Sequence, residues 1–431
     1  MSDKTYIDNL DRRIFPYVEY PGYWFRYPSH TPYLMKRESI EEIRNVSEML
    51  YAIFAKAAGT FRECPDEFMD DMDIPVKMRP YLTCGNVMDN LPTWLSRFDF
   101  VMNEDGDFKM VEINADTPCA FIEAYYGNAV AADWFRKGDP NAGEYSALKQ
   151  WLARIFRAST GLLSPEEEKR HPAAFLAFPD YVEDYGTAVY LMEAMKAGLS
   201  CHDDTICFAS FYDLAVLPDG TPVLPDGRTP SLIYRMHPME ILIEEEADDG
   251  SPLGTLFMDG YKDGRFAMIN PPECLIMQAK GFQALLYALI MLHPEVFEQH
   301  EIDVIERYLP RSFFERDFQM LHLPGGTEWI RKPVWGREGR GIQVIGGKGD
   351  LRQQKSVGNP DDIICRDSAC NLVQEFVHQP KISAVTDEGR LSGYLTLSTF
   401  MLGNRSSAVY GRFSADEIAG TEAYWIPILY E

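Results

Sequence analysis

The stretch RFDFVMNEDGDFKMVEIN, residues 97–114, decides how this chain is read. Apolar and polar residues alternate on both sides of Asp105-Gly106, the pattern of a β-hairpin with one buried face. A type I′ turn needs positive φ at both central residues, and Asp-Gly supplies this readily. A turn centred there sets Asp99 opposite Glu112 and Arg97 opposite Asn114. These four side chains then share one face, while Phe98, Phe100, Val111 and Ile113 take the other.

Two carboxylates facing each other across a ladder lie about 5 Å apart at Cβ and repel. A hard dication removes that penalty. Oxygen donors from Asp99, Glu112 and Asn114 suit magnesium, which takes a few protein oxygens together with water and substrate phosphates. Arg97 on the same face would offset charge on a transferring phosphoryl group or an oxyanion. Spacing alone leaves a plainer alternative open: a solvated hairpin whose carboxylates pair with Arg97 and Lys109.

A second set of polar residues lies further along. Residues 329–334 read as a short strand that carries Lys332 into the run WGREGRG, 335–341. Glycines at 336, 339 and 341 would let backbone N–H groups approach a phosphate, and the ammonium would offset its charge. The run is not a Walker sequence, and an ordinary turn would look the same. Lys280 falls near the start of a strongly apolar helix expected over 274–295, and as a single residue it fits a surface lysine as well as a ligand. Leu372–Val377 is an apolar strand carrying Gln374 and Glu375; it reads either as an edge strand or as one whose end faces an adenine and ribose.

The rest of the chain supplies scaffold. A helix is expected from Ser39 to Ala58, opened by a Ser39/Glu42 capping box and buried through Ile40, Ile43, Val46, Met49, Leu50 and Ile53. Two more are expected over 120–135 and 145–160. From residue 174 the pattern becomes strand, helix, strand (174–178, 187–197, 205–209), with a further strand at 232–234, a βαβ-like unit. Pro-Asp-Gly at 218–220 and 225–227 marks tight surface turns, and Gly403-Asn404 joins a second hairpin. The fold class is therefore α/β (α+β). Without a low-complexity linker, three parts are expected to pack as one unit: residues 1–165 with the hairpin, 166–270 with the βαβ-like unit, and 271–431 with the Gly-rich loop and closing strands.

Composition bounds the function. The 431 residues are 46% hydrophobic and 25% charged, ordinary for a globular protein. A net charge of -25 argues against nucleic acid, whose phosphates need a basic footprint, and suits a cationic substrate such as a polyamine. No run approaches the roughly 18 apolar residues of a membrane span. No secretory signal is visible at the N-terminus, so a cytoplasmic location is expected. The eight cysteines contain no Cys-x-x-Cys pair and have no accompanying His cluster, which supports neither a zinc site nor a disulfide framework.

Taken together, these residues resemble the synthetase domain of the glutathionylspermidine synthase family, which has an ATP-grasp fold. The resemblance runs from about Arg12 to the end. It rests on Arg97-Phe-Asp99, on Glu112-Ile-Asn114 continuing through Asp116-Thr117-Pro118, and on Tyr234-Arg235 followed by Pro238 and Glu240. Lys280, Arg331-Lys332-Pro333 with the Gly-rich loop, Gln374–Val377 and Trp425-Ile-Pro427 complete it. Metal ligands preceding the ATP lysines are a further mark of the family.

The resemblance implies ATP and magnesium as cofactors and a two-step reaction, in which a carboxylate becomes an acyl phosphate and an amine then displaces phosphate. It implies that Asp99, Glu112 and Asn114 hold magnesium. Lys280 and Lys332 would contact the nucleotide, Glu338 and Gly339 would cover its phosphates, and Gln374, Glu375, Phe376 and Val377 would line the adenine pocket. Arg97 would serve catalysis and touch the substrate carboxylate, Thr117 would bind the peptide substrate, and Glu183 and Asp184 the amine. Glutathione and spermidine are the candidate pair. Cys119 departs from the serine of the glutathionylspermidine-making members, and no counterpart of the cysteine-amidase domain is present, so no amidase activity is expected. The other expectation kept open is a non-catalytic nucleotide-binding or regulatory protein on the same fold.

Overall fold

The computed structural model describes residues 4–19, 25–60, 66–88, 91–161, 164–200, 204–320, 326–345, 351–353, 366–420 and 422–431. Its centre is an antiparallel sheet in which strand Leu95–Met102 pairs with Phe108–Asn114 on one side and Gly389–Leu402 on the other. Arg405–Ser414 and Tyr424–Trp425 continue that sheet, and Ile382–Thr386 pairs with Gly389–Leu402. The Gly403-Asn404 hairpin is present, with Leu402 opposite Arg405 and Gly403 at φ +60°.

The first hairpin has the expected pairs but not the expected turn. Arg97 faces Asn114 and Asp99 faces Glu112, yet beyond Asp99 the register shifts, so that Phe100 faces Met110 and Met102 faces Phe108. Within the turn only Gly106 has positive φ (+90°), which excludes the type I′ form. Instead Asn103 N–H donates to the Asp107 carbonyl at 2.9 Å, closing a three-residue loop. The Asn103 side chain caps it, accepting from the N–H groups of Asp105 and Asp107. The longer loop moves the register by one residue, and a bulge at Val111 moves it back. Val111 therefore leaves the apolar face to which strict alternation assigned it. It lines the polar cavity, while Phe98, Phe100, Phe108, Met110 and Ile113 enter the core.

A four-stranded parallel sheet, ordered Ile206–Ser210, Ala173–Ala177, Leu232–Arg235 and Ala267–Ile269, forms the expected βαβ region, with helix Val182–Leu199 as its crossover. Strand Ala173–Ala177 is buried on both faces: Ala174 and Leu176 join one apolar cluster, and Ala173, Phe175 and Ala177 the other. A five-stranded antiparallel sheet carries the Lys332 strand, in the order Ser312–Phe314, Asn371–Glu375, Trp329–Pro333, Gln343–Ile345, Leu351–Gln353. Strand Asn371–Glu375 thus lies inside the sheet, not at its edge.

Two helix expectations need correction. The first long helix runs Arg37–Thr60, so Ser39 lies inside it and caps nothing. Ile40, Ile43, Val46, Leu50 and Ile53 are buried, but Met49 is 41% exposed. The apolar run after residue 274 is two helices, Cys274–Gln278 and Gly281–Leu292, because Ala279 takes an extended conformation. That break sets Lys280 at a helix start. Among the described residues, no helix is long and apolar enough to cross a membrane.

Candidate active site

Where the central sheet faces the five-stranded sheet, a cavity of about 230 Å³ opens. One wall is the polar face of the hairpin: Arg97, Asp99, Val101, Val111, Glu112 and Asn114. The opposite wall carries Lys332, the loop residues Arg337, Glu338 and Gly339, and Gln374 to Val377. Thr117, Cys119 and Glu183 also line it. Asp184 is absent from the wall but approaches Cys119 Sγ through Oδ1 at 3.8 Å. Lys280 reaches the site through its ion pair with Glu112.

The hairpin wall is not a solvated surface, since Arg97 is 8% exposed and Asp99 2%. Arg97 forks onto Asp99, Nε to Oδ1 at 2.8 Å and Nη2 to Oδ2 at 3.0 Å, and gives its third bond to the Cys119 carbonyl. Burial opposes the Arg97 charge, but Asp99 outweighs it and holds the guanidinium above its usual range. Asn114 Nδ2 donates to Asp99 Oδ2 at 3.2 Å. For Glu112, burial would raise the pKa, but the neighbouring Lys280, with help from Lys332 and Arg412, brings it down to about 2. Lys109, offered above as a counter-charge for the carboxylates, instead donates to the Glu306 carbonyl.

Remote residues fix this wall. Gln278 Oε1 accepts from the N–H groups of Ala115 and Asp116, at 2.7 and 3.0 Å, and so sets the chain leaving Asn114. Gln283 Nε2 donates to the carbonyl of Val111, the bulged residue, at 3.2 Å. The same Gln283 accepts from Gln374 Nε2 at 2.6 Å, and Gln374 Oε1 accepts from Lys332 Nζ at 2.7 Å. A buried chain of polar groups thereby joins the bulge to the lysine across the cavity. Burial, with Lys280 as a like-charged neighbour, lowers Lys332 to about 8 although Glu112 opposes the shift.

The carboxylates near Cys119 behave differently. Burial and the neighbouring Glu183 raise Asp184 to about 7, against the pull of Arg337. Behind them Glu123, in a π-helical turn and fully buried, is raised to about 8 by burial and by Glu183. Burial and the same acids push the Cys119 thiol up, which disfavours a thiolate nucleophile.

The structure adds residues to which the sequence assigned no role. Arg412, on strand Arg405–Ser414, lines the cavity and acts on Glu112. Arg337 lines it from the Gly-rich loop. Gln278 and Gln283 are buried supports. Alternation within the second hairpin was the available signal for Arg412; the glutamines carried none, because their partners are distant in sequence.

The donor set matches a hard cation that shares its coordination with a ligand. Two carboxylates and one amide oxygen suit magnesium, which needs one or two carboxylates plus phosphates and water. Among the described residues no group of three or more His, Cys, Asp or Glu is clustered for a metal, so a cation at this wall would draw its remaining donors from water or a bound phosphate.

Comparison with solved structures finds a glutathione synthetase-like effector from Globodera pallida in its apo form, with a TM-score of 0.57 at 11% identity, covering 94% of this chain and 90% of that one. At that identity the likeness is one of fold, and it places the chain in the ATP-grasp class of α/β proteins. The family described as glutathionylspermidine synthase preATP-grasp matches residues 15–431, and the chain belongs to that family of ligase-type synthetases.

Proposed function

We propose that this protein is an ATP- and magnesium-dependent carboxylate–amine ligase that forms an amide through an acyl phosphate. The observation that carries the reading is the facing of two walls across one cavity: Asp99, Glu112 and Asn114 on one side, Lys332 and the Gly336–Gly341 loop on the other. Magnesium, held by Asp99, Glu112 and Asn114, would supply charge neutralisation for the transferring phosphoryl group. Lys280 and Lys332 would turn toward the nucleotide phosphates, with Glu338 and Gly339 over them. Gln374, Glu375, Phe376 and Val377 would enclose the adenine.

Arg97 and Thr117 line the same cavity, and a substrate carboxylate would lie beside them. The N–H groups of Arg97 would hold that carboxylate and offset charge during transfer. Glu183 and Asp184 would receive a cationic amine, in keeping with the net charge of -25. Glutathione or a related peptide and a polyamine are the substrates to try first.

The test is coupled ADP release with glutathione plus spermidine, then with a panel of peptides and amines, accompanied by mass detection of the amide. ADP release that needs both substrates, together with an amide product, supports the ligase. Tight nucleotide binding with no substrate-stimulated release over the whole panel supports instead a nucleotide-binding protein without turnover.

A further inference from the structure

The sequence element Tyr234-Arg235 with Pro238 and Glu240 is given no contact with nucleotide or substrate, yet both of its charged residues, Arg235 and Glu240, are buried. Arg235 clasps Asp116 through both terminal nitrogens, with Nη1 to Oδ2 at 3.2 Å, and donates from Nη1 to the His237 carbonyl at 2.7 Å. Asp116 also accepts the Met239 N–H at 2.9 Å. Asp116 follows Asn114 by two residues and directly precedes Thr117, so this end of the element grips the chain leaving the hairpin wall.

The other end grips the opposite wall. Glu240 Oε1 accepts from Arg337 Nη2 at 2.8 Å, and among the described residues this is the one ion pair of Glu240. Its second oxygen, Oε2, is buried without a hydrogen-bond partner. Burial opposes the Arg337 charge, but Glu240 outweighs it and keeps the guanidinium above its usual range. Arg337 opens a loop whose backbone is already constrained, with positive φ at Glu338 (+49°), Gly339 (+71°) and Gly341 (+74°). A Cβ on Gly341 would come within 2.7 Å of Pro333 Cγ. Gly339 also packs close to the Ala419 carbonyl, while the Arg337 side chain ties the start of the loop to Glu240.

We infer that Glu240 is a positioning residue: through Arg337 it holds the Gly-rich loop at a set distance from the hairpin wall, ready for a phosphate chain. The short segment from Arg235 to Glu240 is a brace with one ionic grip on each side of the cavity. A buried carboxylate with a single cationic partner makes that grip strongly dependent on both members. The inference rests on the nucleotide reading for its consequence but not for its geometry, and the experiment separates the two.

The variants are E240Q, R337Q and the double variant, each with melting temperature measured in parallel. Amide hydrogen exchange without nucleotide reads the loop directly, at Arg340 and Ile342, whose N–H groups bond within it. Faster exchange at these two amides in E240Q is expected; wild-type exchange there overturns the inference whatever the protein binds. Binding of a fluorescent ATP analogue with magnesium reads the consequence. If release leaves the loop in place about a tenth of the time, the Kd rises about tenfold in E240Q. The double variant should bind no more weakly than R337Q alone. Additive losses in the double variant would overturn the coupling through Arg337. If the wild type binds no nucleotide, the nucleotide reading fails and the exchange result still decides the brace. Should E240Q not fold, E240Q in the R337Q background removes both charges, and unchanged exchange relative to R337Q is the supporting result.

Discussion

Replacing Lys332 by Met should stabilise the protein while removing its nucleotide affinity. Lys332 is 6% exposed, and burial brings its pKa from 10.5 to about 8. At about 1.4 kcal/mol for each tenfold in proton affinity, the folded state gives up roughly 3 kcal/mol to keep this ammonium charged at pH 7. The sign follows from linkage. The folded pKa lies below the unfolded one, so the unfavourable contribution is complete below pH about 8. It fades as pH rises toward the ordinary lysine value, and stability rises with it. Methionine has similar length and no charge to desolvate. Its cost is the orphaned Oε1 of the fully buried Gln374, about 1–2 kcal/mol. The net gain at pH 7 is therefore roughly 1–2 kcal/mol, a rise of a few degrees in Tm at most for a chain of this size. Calorimetry at pH 7 and pH 9.5 checks both the sign and its loss at high pH, and titration with a fluorescent ATP analogue checks binding. A lower Tm at pH 7 would refute the burial account. Nucleotide affinity equal to that of the wild type would refute the placing of Lys332 on the phosphates.

At the hairpin wall, D99N and E112Q should each lower substrate-dependent ADP release by about a hundredfold or more, read in the coupled assay. D99N should also lower the Tm, since Arg97 is buried and would lose its ionic fork. The KM for a polyamine should fall up to about tenfold between pH 6 and pH 8, because Asp184, raised to about 7, gains its charge over that range. A flat KM profile would remove Asp184 from amine recognition. G254A should destabilise by about 2 kcal/mol or more, seen in calorimetry, because a Cβ there would lie 1.9 Å from the Leu242 carbonyl oxygen. That clash would part helix Leu253–Lys262 from the turn after Met239–Leu242, next to Glu240.

Pairing in the hairpin was legible because alternation and a turn signal act locally. Arg97 against Asn114 and Asp99 against Glu112 follow from the sequence, although by a turn that does not form. The three-residue loop and the bulge at Val111 each shift the register by one, and the shifts cancel at Glu112. Counting residues cannot detect such a pair. What chooses between the two arrangements is the Asn103 side chain at one end and Gln283, on helix Gly281–Leu292, at the other. Val111 is the visible cost of the simpler reading, since it lines the cavity and not the core. The interior place of strand Asn371–Glu375 escaped for a similar reason: an apolar strand carries no mark of how many neighbours it will have.

The sequence by itself determined the α/β class, the parallel unit around Ala173–Ala177, the two hairpins, and the residue types from which an oxygen-rich wall and a lysine-and-glycine wall are made. Those features depend on period, on turn chemistry and on charge, which neighbours in the chain supply. Only the tertiary structure decided that the two walls face each other. It also decided that Lys332 is held near pKa 8, that Asp184 and Glu123 are held neutral longer than ordinary acids, and that Arg337 answers to Glu240. Each of these depends on burial and on charges brought together from distant segments, and neither has a value until the chain has folded.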